Sequence, residues 1–465
     1  MTASGAEAAL ELQPQLQPQP QLQSQPQPQS QSQSQAVPDP DDAAFDLAER
    51  FGTPLFVYDF DAIEARVRSL QAVLPPVVDL AFALKANPAL AVVHWLGRLG
   101  LGADVASGGE LATALRAGMD PARIVLTGPG TRDDELRLAV SGAIRAITIE
   151  SPGALDRLER IVVADGRREP VPILLRASTA AAPWRRDDGG GLAIDDGSGK
   201  FGMDPDDLRM CARLATASSH LDLLGLHAFG WSNVLDADVL ADHVETTVEA
   251  AIELARMLGT PLRLVDGGGG LGIPYGPTEP TLDLARFGER LRGIVAGWAD
   301  GPLTRETRLL LEPGRYLVGS AGRYLARVVD TKTLAGRPTI VLDGGIHHLL
   351  RPTLVGHEHG LWLRRRRSVD DGRFHDRLDP RPTTVAGPLC TGLDVLGRDV
   401  PLPAAFPGDL VEIGDVGAYG FTESMPLFLS HPMPAEVALR DGRAELIRPR
   451  LEPASWLEVQ RVPSW

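Results

Sequence analysis

The chain has 465 residues, 43% hydrophobic and 23% charged, which is long enough for two folded domains. A formal charge of −15 argues against nucleic acid as a partner, because a phosphate backbone is held by a net basic face. Only two cysteines, Cys211 and Cys390, exclude a disulfide framework and suit a reducing compartment. With no apolar run of membrane-spanning length and no charged-then-apolar leader, the expected location is the cytoplasm, without membrane contact.

In chain order, residues 1–40 contain a Gln/Pro/Ser/Leu tract from Gln13 to Gln35, the composition of a disordered tail. A folded region is expected from Asp41, with a helix over Ala43–Arg50 leading into the extended Thr53–Tyr58. The apolar run Val77–Leu84, stopped by Asn87-Pro88, reads as an interior strand. Lys85 sits at its tip and has two readings. It is either a strand-end lysine with its head in water, or a lysine whose pKa is lowered by its surroundings so that it can form an imine.

Seven further short apolar runs follow: Ala103–Ala106, Ile124–Leu126, Ala146–Ile149, Val171–Leu175, Leu223–Phe229, Leu262–Val265 and Leu309–Leu311. Helical patterns over Glu110–Ala117, Asp133–Val140, Ala154–Val162 and Asp238–Met257 lie between them. Eight strands alternating with helices predict an α/β fold, a (β/α)8 TIM barrel over residues 41–315 whose first residues can pack on the second domain. Barrel sites lie at the C-terminal ends of the strands. The unusual residues fall there: Lys85, Ser107-Gly108-Gly109, Gly128-Pro129-Gly130, His227, the run Gly267–Gly270, and Glu312-Pro313-Gly314-Arg315. The Gly-rich interval between Arg176 and Leu223 is too long for an ordinary connection and reads as a loop over the site. Beyond Arg315, strand patterns at Arg323–Asp330, Pro338–Leu342, Thr383–Ala386, Leu410–Ile413 and Glu436–Leu439 predict a mainly β domain over 316–465.

A glycine run after a strand can offer backbone N–H groups to a phosphate, although this one lacks the ending of a P-loop and the spacing of a dinucleotide fingerprint. Arg315 suits the same phosphate, and Glu312 needs a cationic partner. An imine-forming lysine, a phosphate cradle and an acid for a ring nitrogen are together what pyridoxal 5'-phosphate requires.

Five motifs carry a family resemblance: Phe82-Ala83-Leu84-Lys85-Ala86-Asn87, the glycine run, Glu312-Pro313-Gly314-Arg315, Gly387-Pro388-Leu389-Cys390 and Gly417-Ala418-Tyr419-Gly420. From about Thr53 to His431 the chain resembles the alanine-racemase-like, fold type III decarboxylases, typified by the diaminopimelate and ornithine enzymes. The resemblance implies that Lys85 holds the cofactor as an imine and that Glu312 pairs with its pyridinium nitrogen. Gly268, Gly269, Gly270, Arg315 and Tyr419 would hold the phosphate, joined by Ser232. Cys390 would come from the partner subunit of a homodimer with shared active sites and protonate the carbanion. Lys200 and Asp394 match a cross-subunit salt bridge, and Arg351 matches a substrate-carboxylate contact beside Arg315.

Three departures bear on the substrate. Phe229 stands where the family has a histidine stacked on the cofactor, while His227 still points into the barrel. Thr391 replaces the acid that grips a distal amino group, and Val355 replaces a tyrosine. Both changes disfavour a standard diaminopimelate decarboxylase. Cys390-Thr391 and Phe428-Leu429-Ser430-His431-Pro432 look more like a branch in secondary metabolism that includes enzymes acting on amino acids tethered to a carrier protein. The expected function is pyridoxal-phosphate-dependent α-decarboxylation of a small amino acid or its conjugate. Diaminopimelate decarboxylation, racemisation and non-catalytic regulation are the alternatives. Cys211 reads as a core residue. His347-His348 and His357-Glu358-His359 lack a zinc-like ligand set, so no metal is expected. Arg364–Arg367 reads as a solvated face, or alternatively as a docking patch for an acidic carrier.

Overall fold

The computed structural model describes residues 39–179, 192–193, 200–298, 301–356, 358–365 and 379–465. The Gln-rich tract and residues 180–191 and 194–199 of the glycine-rich interval before Leu223 lie outside the described residues; the described part of that interval contains a helix over Pro205–Ala217, which corrects its reading as one long loop. No helix among those described is long and apolar enough to cross a membrane.

Eight parallel strands close a barrel: Val78–Ala83, Gly102–Val105, Ile124–Leu126, Ala146–Ile149, Val171–Arg176, Leu221–His227, Leu264–Asp266 and Arg308–Leu311. The last strand returns to the first, with Leu309 opposite Val78 and Leu311 opposite Leu80. All eight predicted runs are strands. Successive side chains of a strand face opposite sides, and the burial follows that rule. Ala81, Val125, Ala146, Leu174, Leu264 and Leu310 form one small inner cluster. Their neighbours Phe82, Leu126, Ile147, Leu175, Val265 and Leu311 belong to the large core beneath the surrounding helices. Several of those helices start where a short polar side chain caps a free backbone N–H: Ser107 accepts from Glu110, Ser151 from Ala154 and Asp283 from Arg286.

The second unit of structure is a nine-stranded sheet. Its middle is Gly322–Leu334, Leu55–Asp59 and Ala435–Arg440, with Leu55 opposite both Leu325 (antiparallel) and Ala435 (parallel). The extended segment predicted before the barrel is therefore a strand of the C-terminal sheet. All five predicted C-terminal strands are present. Three were not predicted: Leu361–Arg364, Val395–Leu402 and Arg443–Arg448. Val395–Leu402 and Arg443–Arg448 are interrupted by charge, Gly or Pro and lack the apolar alternation of a half-buried strand, while Leu361–Arg364 is a four-residue run too short to stand out. Arg364 corrects the solvated-face reading. Its Nε donates to Glu412 Oε2 at 2.9 Å and the side chain is mostly buried. Arg365 lies 3.6 Å from Asp409, while Arg366 and Arg367 are outside the described residues.

Candidate active site

Moving two residues past an inward-facing position reaches the next layer on the same face. From Ala81, Leu264 and Leu310 that step gives Ala83, Asp266 and Glu312, and the equivalent rungs on neighbouring strands carry Asp104 and His227. The barrel mouth is thus floored by Asp104, His227, Asp266 and Glu312, all buried. Lys85 stands over this floor in the short turn Leu84–Ala86. Its Nζ donates to Asp104 Oδ2 at 3.1 Å and lies 5.4 Å from the centre of the Phe229 ring.

The electrostatics correct the expected low lysine pKa. Partial desolvation at the pocket mouth pushes the Lys85 ammonium down, but the carboxylates of Asp104 and Glu312 outweigh it and raise the pKa above the usual lysine range. Burial and then the charge of Glu312 push Asp104 up to about 7, against the pull of Lys85. For Glu312, burial acts upward, yet His227 and Lys85 bring it below the ordinary carboxylate range. Asp266 is raised, first by burial and then by Glu312. Their mutual repulsion and their neighbours shift the two adjacent acids in opposite directions, Glu312 downward and Asp266 upward. His227 Nε2 is 3.7 Å from Glu312 Oε2, too long for a hydrogen bond, and burial lowers the imidazole's pKa despite Glu312. Glu312 Oε1 is left buried without a hydrogen-bond partner. An unpaired anionic oxygen there calls for one charged N–H donor.

His227, Asp266 and Glu312 are also the one trio of potential metal ligands found among the described residues, with ligand atoms within 4.8 Å of one another. Burial and then Glu312 raise the Asp266 carboxyl, and it accepts the Gly268 N–H at 2.9 Å.

The other end of the mouth is built for an anion. Gly268 and Gly270 have φ of +65° and +98°, where side chains are strained, and a Cβ on Gly269 would come within 2.4 Å of the Glu312 carbonyl. Next to them, Arg315 donates from Nη1 to Tyr275 Oη at 2.6 Å and from Nη2 to Ser232 Oγ at 3.2 Å. Both partners are neutral, and among the described residues no carboxylate lies within ion-pair distance of Arg315. Tyr419, at φ +55°, lies with its ring centre 4.7 Å from the Arg315 guanidinium. Its backbone N–H donates to the Ala86 carbonyl at 2.8 Å, and Asn87 donates to Gly417 O at 2.9 Å. These bonds clasp the β-domain loop to the Lys85 turn. Lys85, Phe229, Ser232, Gly269, Gly270, Glu312, Arg315 and Tyr419 together line one pocket, and Gly268 is not in its lining.

The sequence did not mark Asp104, Asp266 or Tyr275 as site residues. Asp104 had a signal, a lone charge within an apolar strand. Tyr275 had none, since it follows Ile273-Pro274 in an irregular segment.

Other candidates lie apart from this pocket. Cys390 is exposed and Thr391 half-buried on the loop joining Arg381–Ala386 to Val395–Leu402, and neither lines the Lys85 pocket of its own chain. Lys200 is exposed. Asp394 is only 2% exposed, and its oxygens accept from Ile346 N at 2.8 Å and Leu389 N at 2.7 Å. Asp394 fixes the Cys390 loop within its own chain. Arg351 is buried and donates from Nη1 to both oxygens of Glu423, at 2.7 and 2.9 Å, and Val355 is half-buried in the same short helix. Cys211 is a buried helix residue, as expected, with its thiol pushed up to about 11 by burial and then by Asp207.

The histidine pair is a packing feature. His348 accepts from Tyr324 Oη at 3.1 Å and donates to Pro432 O at 2.8 Å, so both nitrogens are occupied. His347 is fully buried against it with no hydrogen-bond partner, and burial and then His431 push its pKa down to about 4. His357 lies outside the described residues. His359 Nδ1 meets the Gly414 carbonyl at 3.0 Å. The lowered pKa of His347 has a definite sign. The unfolded chain binds more protons between pH 6.5 and 4, so this stabilising contribution is complete above 6.5 and is lost as pH falls. His347→Leu should therefore gain melting temperature relative to the parent as pH is lowered through that window, by an equivalent of on the order of 3 kcal/mol. A difference independent of pH would refute this.

The pyridoxal binding domain of the pyridoxal-dependent decarboxylases matches residues 60–319. A diaminopimelate decarboxylase of Methanothermobacter thermautotrophicus is 34% identical over 431 residues, covering 90% of this chain and 94% of its own. An L-glutamyl-[BtrI acyl-carrier protein] decarboxylase of Niallia circulans is 32% identical over 407 residues, covering 86% and 92%. The crystal structure of M. jannaschii diaminopimelate decarboxylase with L-lysine superposes with a TM-score of 0.80 at 26% identity, over 90% of this chain and 94% of that one. The unpaired Glu312 oxygen, the glycine cradle and an arginine with only neutral partners fit the same cofactor on this chain's own geometry. The chain belongs to the fold type III pyridoxal-dependent decarboxylases, carboxy-lyases that work with pyridoxal 5'-phosphate.

Proposed function

We propose that the protein removes the α-carboxyl group of an amino acid whose distal end is uncharged or joined to a carrier protein. It does so as a homodimer with shared active sites, in a reducing cytoplasm. The observation that carries the decarboxylase part is the ionised, partly unsatisfied Glu312 set between Lys85 and the Arg315 anion site. When bound, pyridoxal phosphate takes up the electron pair left on Cα as carbon dioxide departs. The Lys85 amine would take the cofactor's aldehyde. Gly268–Gly270, Ser232, Arg315 and Tyr419 would bind the phosphate, Phe229 would pack on the ring and Glu312 would hold the proton on its nitrogen. Cys390 of the partner subunit would supply the proton that replaces the carboxyl group. The abundance of carboxylates around Lys85 favours its ammonium, which must lose a proton before the amine can react, and Asp104 is the nearest group to receive it.

The substrate part draws on two residues and one relative. Thr391 and Val355 supply no charge for a distal ammonium or carboxylate, and the Niallia circulans relative is named for a glutamyl group on an acyl carrier protein. Because the α-carboxyl must be free to leave, the tether has to sit on the side-chain carboxyl. Diaminopimelate is the second reading, supported by the M. thermautotrophicus relative. The test is carbon dioxide release by the reconstituted enzyme on glutamate, meso-diaminopimelate, ornithine and the side-chain pantetheine thioester of glutamate. The thioester should be preferred by about 100-fold or more in kcat/KM, as expected when a charged group must enter a site with no partner for it. Preference for diaminopimelate would sink the substrate reading and leave the cofactor chemistry standing.

A further inference from the structure

Two arginines share the ring of Tyr419, one of the pocket's lining residues, although only Arg315 lines the pocket itself, and they differ in a way that bears on what can bind beside that ring. The guanidinium carbons of Arg315 and Arg351 each lie 4.7 Å from the centre of the Tyr419 ring. Arg315 is held by the hydroxyls of Tyr275 and Ser232, so its charge is available to an anion. Arg351 is equally buried, but Glu423 neutralises it, with Nη1 at 2.7 and 2.9 Å from the two carboxylate oxygens. The pair is braced on both sides. The neighbouring Ser424 accepts the Leu350 N–H at 3.0 Å and donates to Gly420 O at 2.8 Å, so the Glu423 turn is tied to the start of the Arg351 helix and to the Tyr419 loop. A carboxylate so placed satisfies Arg351 from within the chain, and any incoming carboxylate would have to displace it and face its repulsion.

We infer that Glu423 closes a second anion site at Arg351, leaving one anion site in the pocket, and that this pair selects substrates with an uncharged distal end. The inference deepens the proposed function and rests on it for the identity of the substrate, though not for the binding behaviour of Arg351. Glu423 is the specificity-determining residue; it touches neither the cofactor site nor Lys85.

The probe is glutarate, a dicarboxylate with no amine to react, titrated calorimetrically into the cofactor-loaded protein. Glu423→Gln should bind glutarate about 10- to 100-fold more tightly than the parent, the worth of one charge-assisted contact made available. The double variant R351M/E423M should lose that gain. In parallel, Glu423→Gln should raise kcat/KM for free glutamate relative to the thioester by a similar factor. Glu423→Ala serves as a second opening of the site should the glutamine variant fold poorly. The inference is overturned if a folded, cofactor-loaded Glu423 variant binds glutarate no better than the parent, or if the gain persists without Arg351. Should the parent ignore the thioester, the substrate reading fails by itself, and the glutarate cycle still decides the role of Glu423.

Discussion

Lys85→Ala is expected to lower kcat/KM by roughly three orders of magnitude or more, the scale on which an enzyme loses a nucleophile that also moves protons. The variant should fold. Lys85 is 40% exposed at the pocket mouth, so the substitution creates no core cavity. It should also lose the absorbance of lysine-bound cofactor while retaining phosphate-end affinity through Arg315 and the glycine cradle, and added methylamine should restore part of the rate. The buried Asp104 loses its cation and becomes harder to ionise, which favours the neutral acid and spares the fold an unpaired charge. An intact variant that still turned over within tenfold of the parent would refute the role of Lys85.

Glu312→Gln should cost about 10²- to 10³-fold in kcat, the usual loss when one preorganised charge at the reacting centre is removed. The cofactor's affinity should change far less, because the phosphate contacts are elsewhere. The substitution also has a signature that a merely structural residue would not produce. With the like charge gone, Asp266 becomes more acidic and the pull on Lys85 weakens, so the pH profile of kcat/KM should shift along with the rate. The check is a pH–rate profile of Glu312→Gln against Asp266→Asn. A kcat within threefold of the parent, with an unmoved profile, would remove Glu312 from the mechanism.

The barrel was legible because each of its strands is a short, nearly pure apolar run, the mark of a parallel strand buried on both faces. The second sheet was legible only where one face is buried. Val395–Leu402 carries Gly, Arg, Asp and Pro at an edge and gave no signal. The placement of Leu55–Asp59 could not be read at all, since its partners are remote and nothing local names them. At the site, Lys85, Glu312, Arg315 and the glycine run stood out by type and position at strand ends. What failed was electrostatics and pairing. The direction of the Lys85 shift depends on how many carboxylates converge on it in space. That Asp394 accepts from Ile346 and Leu389 within its own chain is not named by any local pattern. Glu423 is an ordinary acid in sequence and acquires meaning only through Arg351.

The strand Leu55–Asp59 has a consequence for how the protein is made. Tyr58 donates to Glu436 at 2.9 Å across 378 residues of chain. The barrel, complete by Leu311, can close on the ribosome while this strand, all but its last residue buried in the finished sheet, still lacks a partner on either side. At synthesis rates of about 5–20 residues per second, it waits on the order of 20 to 80 s for Ala435–Arg440 to emerge. Gly322–Leu334 can cover one backbone edge earlier, but the edge that faces Ala435–Arg440 stays open to other nascent chains for that whole interval. A chain terminated shortly before residue 435 would keep that one edge open permanently, with a finished barrel attached to an adhesive strand.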